Sequence, residues 1–300
     1  MLMRKKSLED IIFDTVIYVS LIFVMLITLY PFLNLLAISF NDAVDSIRGG
    51  VYIFPRKFTT YNYRVILTDH NIYMAAFISI LRTVIGTFLG LLTTLLIAYP
   101  LSHKDLLFRK QISAFFVFTM YFSGGLIPSY FLIKSLNLIN SFWVYIIPNL
   151  FSAFNVIVLR SYIETLPTSI YESAKIDGAG DYRILFKIIL PLTLPALATI
   201  ALFIGVWQWN SWFDTFLYTS QRQEISTLQY ELQKVLQAAS KQMSQNADFS
   251  MGQSGGASNT ITPNSIRATM AIVATVPILI VYPFLQRYFI TGLTLGGVKG

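Results

Sequence analysis

The chain of 300 residues has no cysteine, only two histidines and few charged residues, 12% of the total. Without cysteine it has no disulfide, no thiolate nucleophile and no cysteine-based metal site, and the redox compartment stays undetermined. His70 and His103 are far apart in sequence, which argues against a histidine metal site or Ser-His catalysis. The phosphate-binding pattern GxxxxGK[ST] is also missing, so the chain is not predicted to hydrolyse ATP itself.

Apolar residues dominate instead: they make up 55% of the chain, and the mean hydropathy is +0.60. Such a composition is typical of a membrane protein. Stretches of about 20 apolar residues cross the hydrocarbon core as helices. Six uncharged apolar stretches reach this length, which predicts an all-α integral membrane protein with six transmembrane helices: 15–41, 83–102, 111–133, 135–159, 188–213 and 268–286.

The orientation follows from Lys and Arg, which are more frequent in the short loops on the side of the N-terminus. This bias predicts that both termini lie in the cytoplasm, with an uncleaved first span. No basic face suited to nucleic acid is evident. The predicted organisation is a cytoplasmic N-terminus (1–14), a six-helix domain (15–290) and a cytoplasmic tail (291–300), with external loops at about 42–74 and 215–266 and a cytoplasmic loop at 164–190.

Glycines mark two features within the spans. Gly86 and Gly90 form a GxxxG pair in the second span, which favours close packing within the chain over a dimer contact. Gly124, Gly125 and Pro128 should break or bend the third span, and broken helices in membranes usually line cavities or are buried by protein. Arg82, at the outer end of the second span, is expected to snorkel to the headgroups.

The loop between the fourth and fifth spans reads as a polar helix-turn-helix. Ser169 and Glu172 have the spacing of a capping box at a helix start. Gly178 is expected to end that helix, because glycine tolerates the left-handed conformation. Asp181 is positioned to cap a second helix, and Pro191 stands where the next membrane helix would begin.

The same loop resembles the EAA loop of ABC importer permeases. The matching residues are Glu172, Ala174, Asp177, Gly178, Ala179, Phe186, Ile189, Leu190 and Pro191, with Ser173 where the family usually has alanine. In that family the loop is a coupling helix that docks into a cleft of an ATPase subunit; the alternative is an ordinary capped surface helix. The resemblance implies ATPase contacts by Ser169, Tyr171, Glu172, Ser173, Ala174, Ile176, Asp177, Gly178, Ala179, Phe186 and Pro191.

Two further segments resemble carbohydrate permeases. Residues 121–138 are similar to the branch that imports alginate and rhamnogalacturonan oligosaccharides, and residues 286–300 to the tail of the maltose-type subunit. In that family the tail lies between the ATPase subunits, which implies contacts by Gly292, Gly296, Gly297 and Lys299; a frayed terminus is the alternative. The implied partners are a second, homologous permease subunit, two ATPase subunits that bind ATP and Mg, an extracytoplasmic sugar-binding protein and the lipid bilayer, with no cofactor on this chain.

Candidate sugar contacts lie at the outer end of the fifth span, where aromatic faces stack on sugar rings and amides bond hydroxyls. An aromatic belt at the membrane interface explains the tryptophans equally well, and they cannot all face one way on a helix. Tyr121 and Tyr130 are weaker candidates. The predicted contacts are Trp207, Gln208, Trp209, Asn210 and Trp212.

A helix is also expected after residue 226 in the second external loop, with an apolar stripe that begins at Leu228 and Leu232. The stripe needs a partner, either the rest of the permease or an external binding protein.

The sequence therefore predicts the permease subunit of an ATP-driven sugar importer in a prokaryotic cell membrane, and not an enzyme. The alternative is a self-contained secondary carrier or a channel. An ion-coupled carrier would usually place ionisable residues deep in its spans, whereas the carboxylates here lie at span ends or in loops.

Overall fold

The computed structural model describes the backbone of residues 7–246 and 262–297, and the side chains of 7–238 and 262–283. In these ranges the chain is helical, and the only β-type pairing is an isolated antiparallel bridge between Asn41 and Phe58. The prediction of an all-α protein is thereby confirmed.

Residues 7–69, 234–246 and 262–275 belong to one compact unit. Its first helix, α1 (Leu8–Ser39), is apolar along its length, and its most hydrophobic 18-residue window has no buried residue. At the start of this helix, the amide of Ser7 donates to Oδ2 of Asp10 (3.0 Å). Two short helices follow: α2 (Ala43–Ile47) and α3 (Tyr61–Thr68).

A buried polar network orders the segment around α2. The Asn41 amide group donates to Oδ2 of Asp45 (3.0 Å), and its carbonyl oxygen accepts from the backbone N of Lys57 (2.8 Å). Asn62 donates to the backbone oxygens of Ser39 (3.0 Å) and Asn41 (2.9 Å). These side chains satisfy backbone groups that no helix or sheet satisfies, so the segment folds as a small structure of its own.

Residues 70–233 and 276–297 belong to the second compact unit. It begins with the long helix α4 (His70–Ser102). The next two helices, α5 (Arg109–Tyr121) and α6 (Leu126–Ser135), meet at a bend of 115°. Gly125 lies at this bend with φ +87°, which confirms the predicted break at the Gly-Gly pair.

The rest of this unit is built from shorter segments. Two 3₁₀ turns (Phe142–Tyr145 and Ile147–Asn149) precede α7 (Ala153–Ile163) at a bend of 48°, and another bend, of 81°, precedes α11. The remaining elements are α8 (Thr168–Ile176), α9 (Asp181–Ile184), a π-helical turn (Leu185–Ile189), α10 (Leu190–Leu192), α11 (Leu194–Asn210), a second π-helical turn (Thr215–Thr219), a 3₁₀ turn (Gln223–Ile225), α12 (Leu228–Asn246) and α13 (Pro263–Gly297).

Among the described residues, three helical stretches are by themselves long and apolar enough to cross a bilayer: Leu8–Ser39, His70–Ser102 and Pro263–Pro283. Each of the three bent pairs meets the same criteria when its two parts are taken together. Length and composition therefore allow up to six spans.

Helices α4 and α11 approach each other closely at the GxxxG pair. A methyl group on Gly86 would lie 2.5 Å from Nε2 of Gln208, and one on Gly90 would lie 3.1 Å from Cδ1 of Ile204. The expectation that this pair serves packing within the chain is confirmed. The buried face of α4 also packs on α7 and α11 through Leu95.

Arg82 does not snorkel, and that expectation is wrong. Its side chain is 0% exposed and forms an ion pair with Asp214, 2.6 Å between Nη2 and Oδ2. The two residues are 132 positions apart, which explains why the sequence of the span alone suggested a headgroup contact.

The final part of the chain contains the predicted helix α12, in which Ser226 precedes the first turn and donates to Oε1 of Glu231 (2.5 Å). Residues 247–261 of the predicted external loop at 215–266 lie outside the described residues. The backbone of α13 is helical through Gly297, whereas Lys299 lies outside the described residues.

Replacement of Gly86 by alanine should destabilise the protein. The new methyl group would press on a buried Gln208 that is held by other bonds, and overpacking of this kind costs about 1–3 kcal/mol. Thermal unfolding of the detergent-solubilised protein, followed by tryptophan fluorescence, should show a lower Tm. Gly180→Ala is the matched control, because nothing lies within 4 Å of a methyl group there. Equal Tm values for both variants would contradict a close α4–α11 contact.

Candidate functional site

The polar loop forms helix α8, but its start differs from the prediction. The helix begins at Thr168 with Pro167 as the N-cap residue, and no side chain caps it. Ser169 therefore lies within the first turn, and the capping box of Ser169 and Glu172 is wrong. The physical reason is that Pro167, with ψ 128°, already supplies the extended geometry of a helix entry two residues before Ser169.

The end of α8 follows the prediction at Gly178. This residue has φ +76°. The amide of Ala179 donates to the carbonyl oxygen of Ala174 (2.9 Å), and the amide of Gly178 donates to the carbonyl oxygen of Lys175 (3.0 Å). These two bonds define a Schellman motif with glycine in the left-handed conformation. The turn fixes the angle between α8 and α9.

An ion pair reinforces this turn. Lys175 Nζ lies 2.7 Å from Oδ1 of Asp181, and the ammonium group lies 5.5 Å from the ring centroid of Tyr171. Asp181 is the first residue of α9, whose N-cap is Gly180, so its predicted role as a cap is wrong. The hydrogen bond between the two side chains raises the pKa of Lys175 and lowers the pKa of Asp181, which keeps both groups charged at neutral pH.

Helix α8 has two distinct faces. Ala174 is buried in the core that also contains Leu159, and Tyr171 packs against the same core. The opposite side is open: Ile176 is 87% exposed, and Glu172 is exposed. Ser169, Ser173, Asp177 and Gly178 are exposed as well. One side of α8 is thus packed in the core, and the other is open and carries both polar groups and an isoleucine.

An aromatic stack connects α8 to the end of α4. The ring of His103 lies 4.6 Å from that of Tyr171 and 4.8 Å from that of Tyr99, measured between centroids. Burial lowers the pKa of His103, which favours the neutral ring in this stack. Sequence reasoning considered His103 only as a metal or catalytic candidate and missed this contact.

The region after α8 carries the rest of the predicted contact residues. Phe186 is 42% exposed and lies in the first π-helical turn, and Tyr182 is 77% exposed. Pro191 belongs to the short helix α10 and precedes the bend before α11, so the long helix begins at Leu194 and not at Pro191. Gly292, Gly296 and Gly297 lie on the described backbone of α13, where side chains are outside the described set.

The predicted aromatic cluster divides between two cavities. Trp207 and Trp212 line an open cavity of about 540 Å³ together with Asn210. Its other lining residues are Leu202, Phe203, Val206, Ser211 and Phe213. Trp209 is turned to a separate apolar cavity of about 530 Å³ between α4, α11 and α13. The expectation that the tryptophans face different ways is confirmed.

Gln208 lines neither cavity. It is 1% exposed; its carbonyl oxygen accepts from Nε of Arg82 (3.0 Å), and its amide group donates to the carbonyl of Tyr145 (3.3 Å). These bonds engage the side chain within the protein and hold it away from solvent. The amide among the predicted residues that reaches the open cavity is Asn210.

A smaller cavity of about 250 Å³ adjoins the open one, and Phe203 and Trp207 line both. It adds polar groups of Asn149, from the second 3₁₀ turn, and of Ser152 and Asn155, from the start of α7. Sequence reasoning missed these residues. A signal was present, since they surround the break between the 3₁₀ turns and α7, and broken helices within membranes often line cavities.

The two tyrosines beside the Gly-Gly break lie elsewhere. Tyr121 is 87% exposed at the end of α5, and Tyr130 stacks on Tyr218 with 6.1 Å between ring centroids. Neither residue is among those that line the cavities at Trp207.

The described residues contain no group of three or more His, Asp or Glu side chains that could hold a metal ion. The candidate sites are therefore two: the exposed side of helix α8, and an aromatic, amide-bearing cavity at the end of α11.

Comparisons with known proteins agree on one class of protein. The chain is 37% identical over 293 residues to a polygalacturonan/rhamnogalacturonan transport system permease protein of Bacillus subtilis, covering 98% of this chain and 100% of the relative. It is 30% identical to an arabinooligosaccharides transport system permease protein of Halalkalibacterium halodurans, covering 93% and 94%. No protein-family model matches the chain.

A solved structure is also similar. The crystal structure of a bacterial ABC transporter involved in the import of the acidic polysaccharide alginate contains a chain that matches with a TM-score of 0.80 and 27% identity. The match covers 95% of this chain and 99% of the other.

A substitution at Gly178 should loosen the end of α8. An alanine in the left-handed conformation costs about 1–2 kcal/mol, so Gly178→Ala should weaken the bond from Ala179 to Ala174. Hydrogen exchange measured by mass spectrometry should be faster over 174–179 in this variant. Gly180→Ala, with φ −72°, is the control and should exchange like the parent. Parental exchange in Gly178→Ala would argue against strain at this turn.

Proposed function

The chain belongs to the permease subunits of carbohydrate ABC transporters, multi-pass proteins of the prokaryotic cell membrane, and we propose that it forms half of the translocation pathway of an ATP-driven sugar importer. The proposed complex contains a second, homologous permease subunit, two ATPase subunits that bind ATP and Mg²⁺, and an extracytoplasmic sugar-binding protein. Hydrolysis of ATP belongs to the ATPase subunits in this proposal, because the chain has no phosphate-binding loop.

In the proposed topology each bent helix pair counts as one span, which gives six spans with both termini in the cytoplasm. Helix α8 then lies in the cytoplasm between the fourth and fifth spans. The concentration of Lys and Arg near the predicted inner ends of the spans supports this orientation.

The two-faced helix α8 is the observation that carries the proposal. Its exposed side, with Ile176 and Glu172, is the coupling surface for an ATPase subunit. Its inner side, with Ala174, is packed in the core that α4, α7 and α11 share. Since packed cores move as rigid bodies, a displacement of α8 by a closing ATPase pair would be transmitted to these helices.

The open cavity beside Trp207 and Trp212 is proposed as a sugar-contact surface. Aromatic faces stack on sugar rings, and Asn210 with Asn149 can exchange hydrogen bonds with hydroxyl groups. The lining residues of this cavity and of the adjoining one include no charged side chain. The alternative, an aromatic belt at the lipid interface, does not account for the amides at the same surface.

Charge reversal on α8 tests the coupling role. Glu172→Lys should lower sugar-stimulated ATP hydrolysis of the reconstituted complex by at least about tenfold, because an interface charge of the wrong sign opposes docking. The protein should still reach the membrane, since this side chain is exposed. Glu224→Lys is the matched control on another exposed glutamate, whose partner is Arg222.

Stimulated hydrolysis at the parental level in Glu172→Lys would refute the coupling role. A self-contained carrier or channel makes a different prediction: the purified chain, reconstituted without ATP or other subunits, would allow sugar flux. Such flux would show that the chain is a self-contained carrier or channel and would contradict the proposed role in an ATP-driven importer.

Alanine at the cavity tryptophans tests the sugar surface. Trp207→Ala and Trp212→Ala should raise the KM of sugar uptake severalfold, because an aromatic stacking contact contributes about 0.5–1.5 kcal/mol. Trp143→Ala is the control, since Trp143 is 49% exposed, similar to Trp207 at 48%, and lines neither cavity. Uptake kinetics in proteoliposomes measure the effect. Unchanged KM in both cavity variants would assign these rings to the lipid interface.

A further inference from the structure

Arg82 is the largest fully buried side chain among the described residues. Its guanidinium group forms a bidentate pair with Asp214: Nη1 donates to Oδ1 (3.2 Å) and Nη2 to Oδ2 (2.6 Å). Its Nε donates to Gln208 (3.0 Å). Two parallel bonds of this kind fix the relative orientation of the two groups as well as their distance.

The same guanidinium group reaches a second point of the turn after α11. Nη1 also donates to the carbonyl of Ser211 (3.3 Å), and the Cζ atom lies 4.5 Å from the ring centroid of Tyr145. The hydroxyl of Tyr145 donates in turn to the carbonyl of Ile225 (2.7 Å). The contact between the guanidinium group and the ring face is a cation–π interaction, which further stabilises the buried charge.

The bonds from Arg82 reach the residues just before and just after two side chains that line the cavity. Ser211 and Asp214 bracket Trp212 and Phe213, and both of the bracketed side chains line the open cavity. One side chain from α4 therefore holds the two ends of the turn that presents the aromatic rings. The break in the helix is confined to Ser211 and Trp212: the amide of Ser211 still donates to the carbonyl of Trp207 (3.0 Å), and helical structure resumes at Phe213, where the amide of Phe216 donates to the carbonyl of Trp212 (3.1 Å).

Neither substrate contact nor stability alone accounts for this pair. The guanidinium group is inaccessible, and its bonding groups are engaged by the protein. A buried ion pair is weak evidence for stability, because well-packed apolar residues of similar volume are often as stable or more so. An apolar pair, however, cannot form the directional hydrogen bonds that fix the orientation of a turn.

We propose that Arg82 and Asp214 are positioning residues of the sugar-contact cavity, which fix the turn 211–214 so that Trp212 and Phe213 face the bound sugar. This inference rests on the proposed function of the cavity. The pair acts through the turn and makes no contact with the sugar itself.

The first experiment measures uptake by the complete complex in proteoliposomes, with a trigalacturonide and a neutral arabinotriose as the probe sugars. Arg82→Gln and Arg82→Lys should each raise the KM of the sugar that the parent transports by roughly tenfold, since small displacements of positioned groups have effects of this size. The maximal rate should fall by a smaller factor. Lysine keeps the positive charge but cannot form the bidentate pair, so Arg82→Lys should not restore the parental KM.

The double variant Arg82→Met with Asp214→Leu separates positioning from stability. It removes both charges, so folding and membrane insertion should recover relative to Arg82→Gln, while the KM should remain raised. Arg222→Gln is the matched control, because Arg222 forms an exposed ion pair with Glu224 and should leave KM unchanged.

A second experiment needs no sugar. Because the chain has no cysteine, Phe213→Cys gives it one site for a nitroxide label. The same complex without this cysteine provides the background spectrum. The label should be immobilised in the parent and should become mobile in Arg82→Gln.

The outcomes separate the two proposals. If the parent complex takes up neither sugar, the proposed function fails, while an immobilised label that Arg82→Gln releases still supports the hold on the turn. Parental KM in Arg82→Lys or in the double variant, or an unchanged label spectrum in Arg82→Gln, would overturn the positioning role.

Discussion

The close contact between α4 and α11 is the interaction on which both proposed functional surfaces depend. A methyl group on Gly86 would clash with Gln208 at 2.5 Å, and one on Gly90 would crowd Ile204 at 3.1 Å, so the two glycines permit this close approach. Helix α4 ends beside the aromatic stack of His103 against α8, and α11 ends at the cavity of Trp207. The 17 residues of α11 span about 26 Å at 1.5 Å per residue, so this contact joins the proposed docking surface to the proposed sugar-contact surface across roughly the thickness of the hydrocarbon core.

Breaks in the helices place the functional groups. The bend before α7 exposes Asn149 and Ser152 to the smaller cavity, and the bend before α11 follows Pro191 in the segment that leaves α8. At each break, backbone groups lose helical partners and must be satisfied by protein or by a water-filled cavity. The π-helical turns at Leu185–Ile189 and Thr215–Thr219 adjoin the two sites, in keeping with the frequent use of π-bulges near function.

Glycines in the sequence predicted two backbone features correctly, whereas the helix starts predicted in the polar loop were wrong. Gly125 and Gly178 adopt positive φ where a break and a helix end were expected, because only glycine takes these conformations at little cost. The capping box at Ser169 failed for an equally local reason: Pro167 starts the helix earlier. The proposed role of Glu172 and Ile176 depends on how far their side chains are exposed. An amphipathic pattern in the sequence indicates an exposed face but does not measure the exposure of each side chain.

Contacts between distant residues could not be predicted in the same way. Arg82 and Asp214 look like a headgroup contact and a loop carboxylate when each is considered with its sequence neighbours. Their pairing, like the stack of His103 on Tyr171, exists only after the helices have packed. Gln208 could not be predicted for the same reason. Its position beside three tryptophans suggested a cavity, whereas the space left by Gly86 on α4 accommodates its side chain in the core.

The buried pair also determines the electrostatics of the cavity wall. An unpaired arginine behind Ser211 would present a full positive charge to a site of low dielectric constant, where charge interactions are strong. Asp214 neutralises it at 2.6 Å, and only the small dipole of the pair remains. The lining itself contributes ring faces, amides and hydroxyls without a charged group. If the cavity takes a sugar as proposed, recognition by this wall depends on the shape and the hydroxyl pattern of the sugar, and the position of two aromatic rings matters more than the charge that holds them.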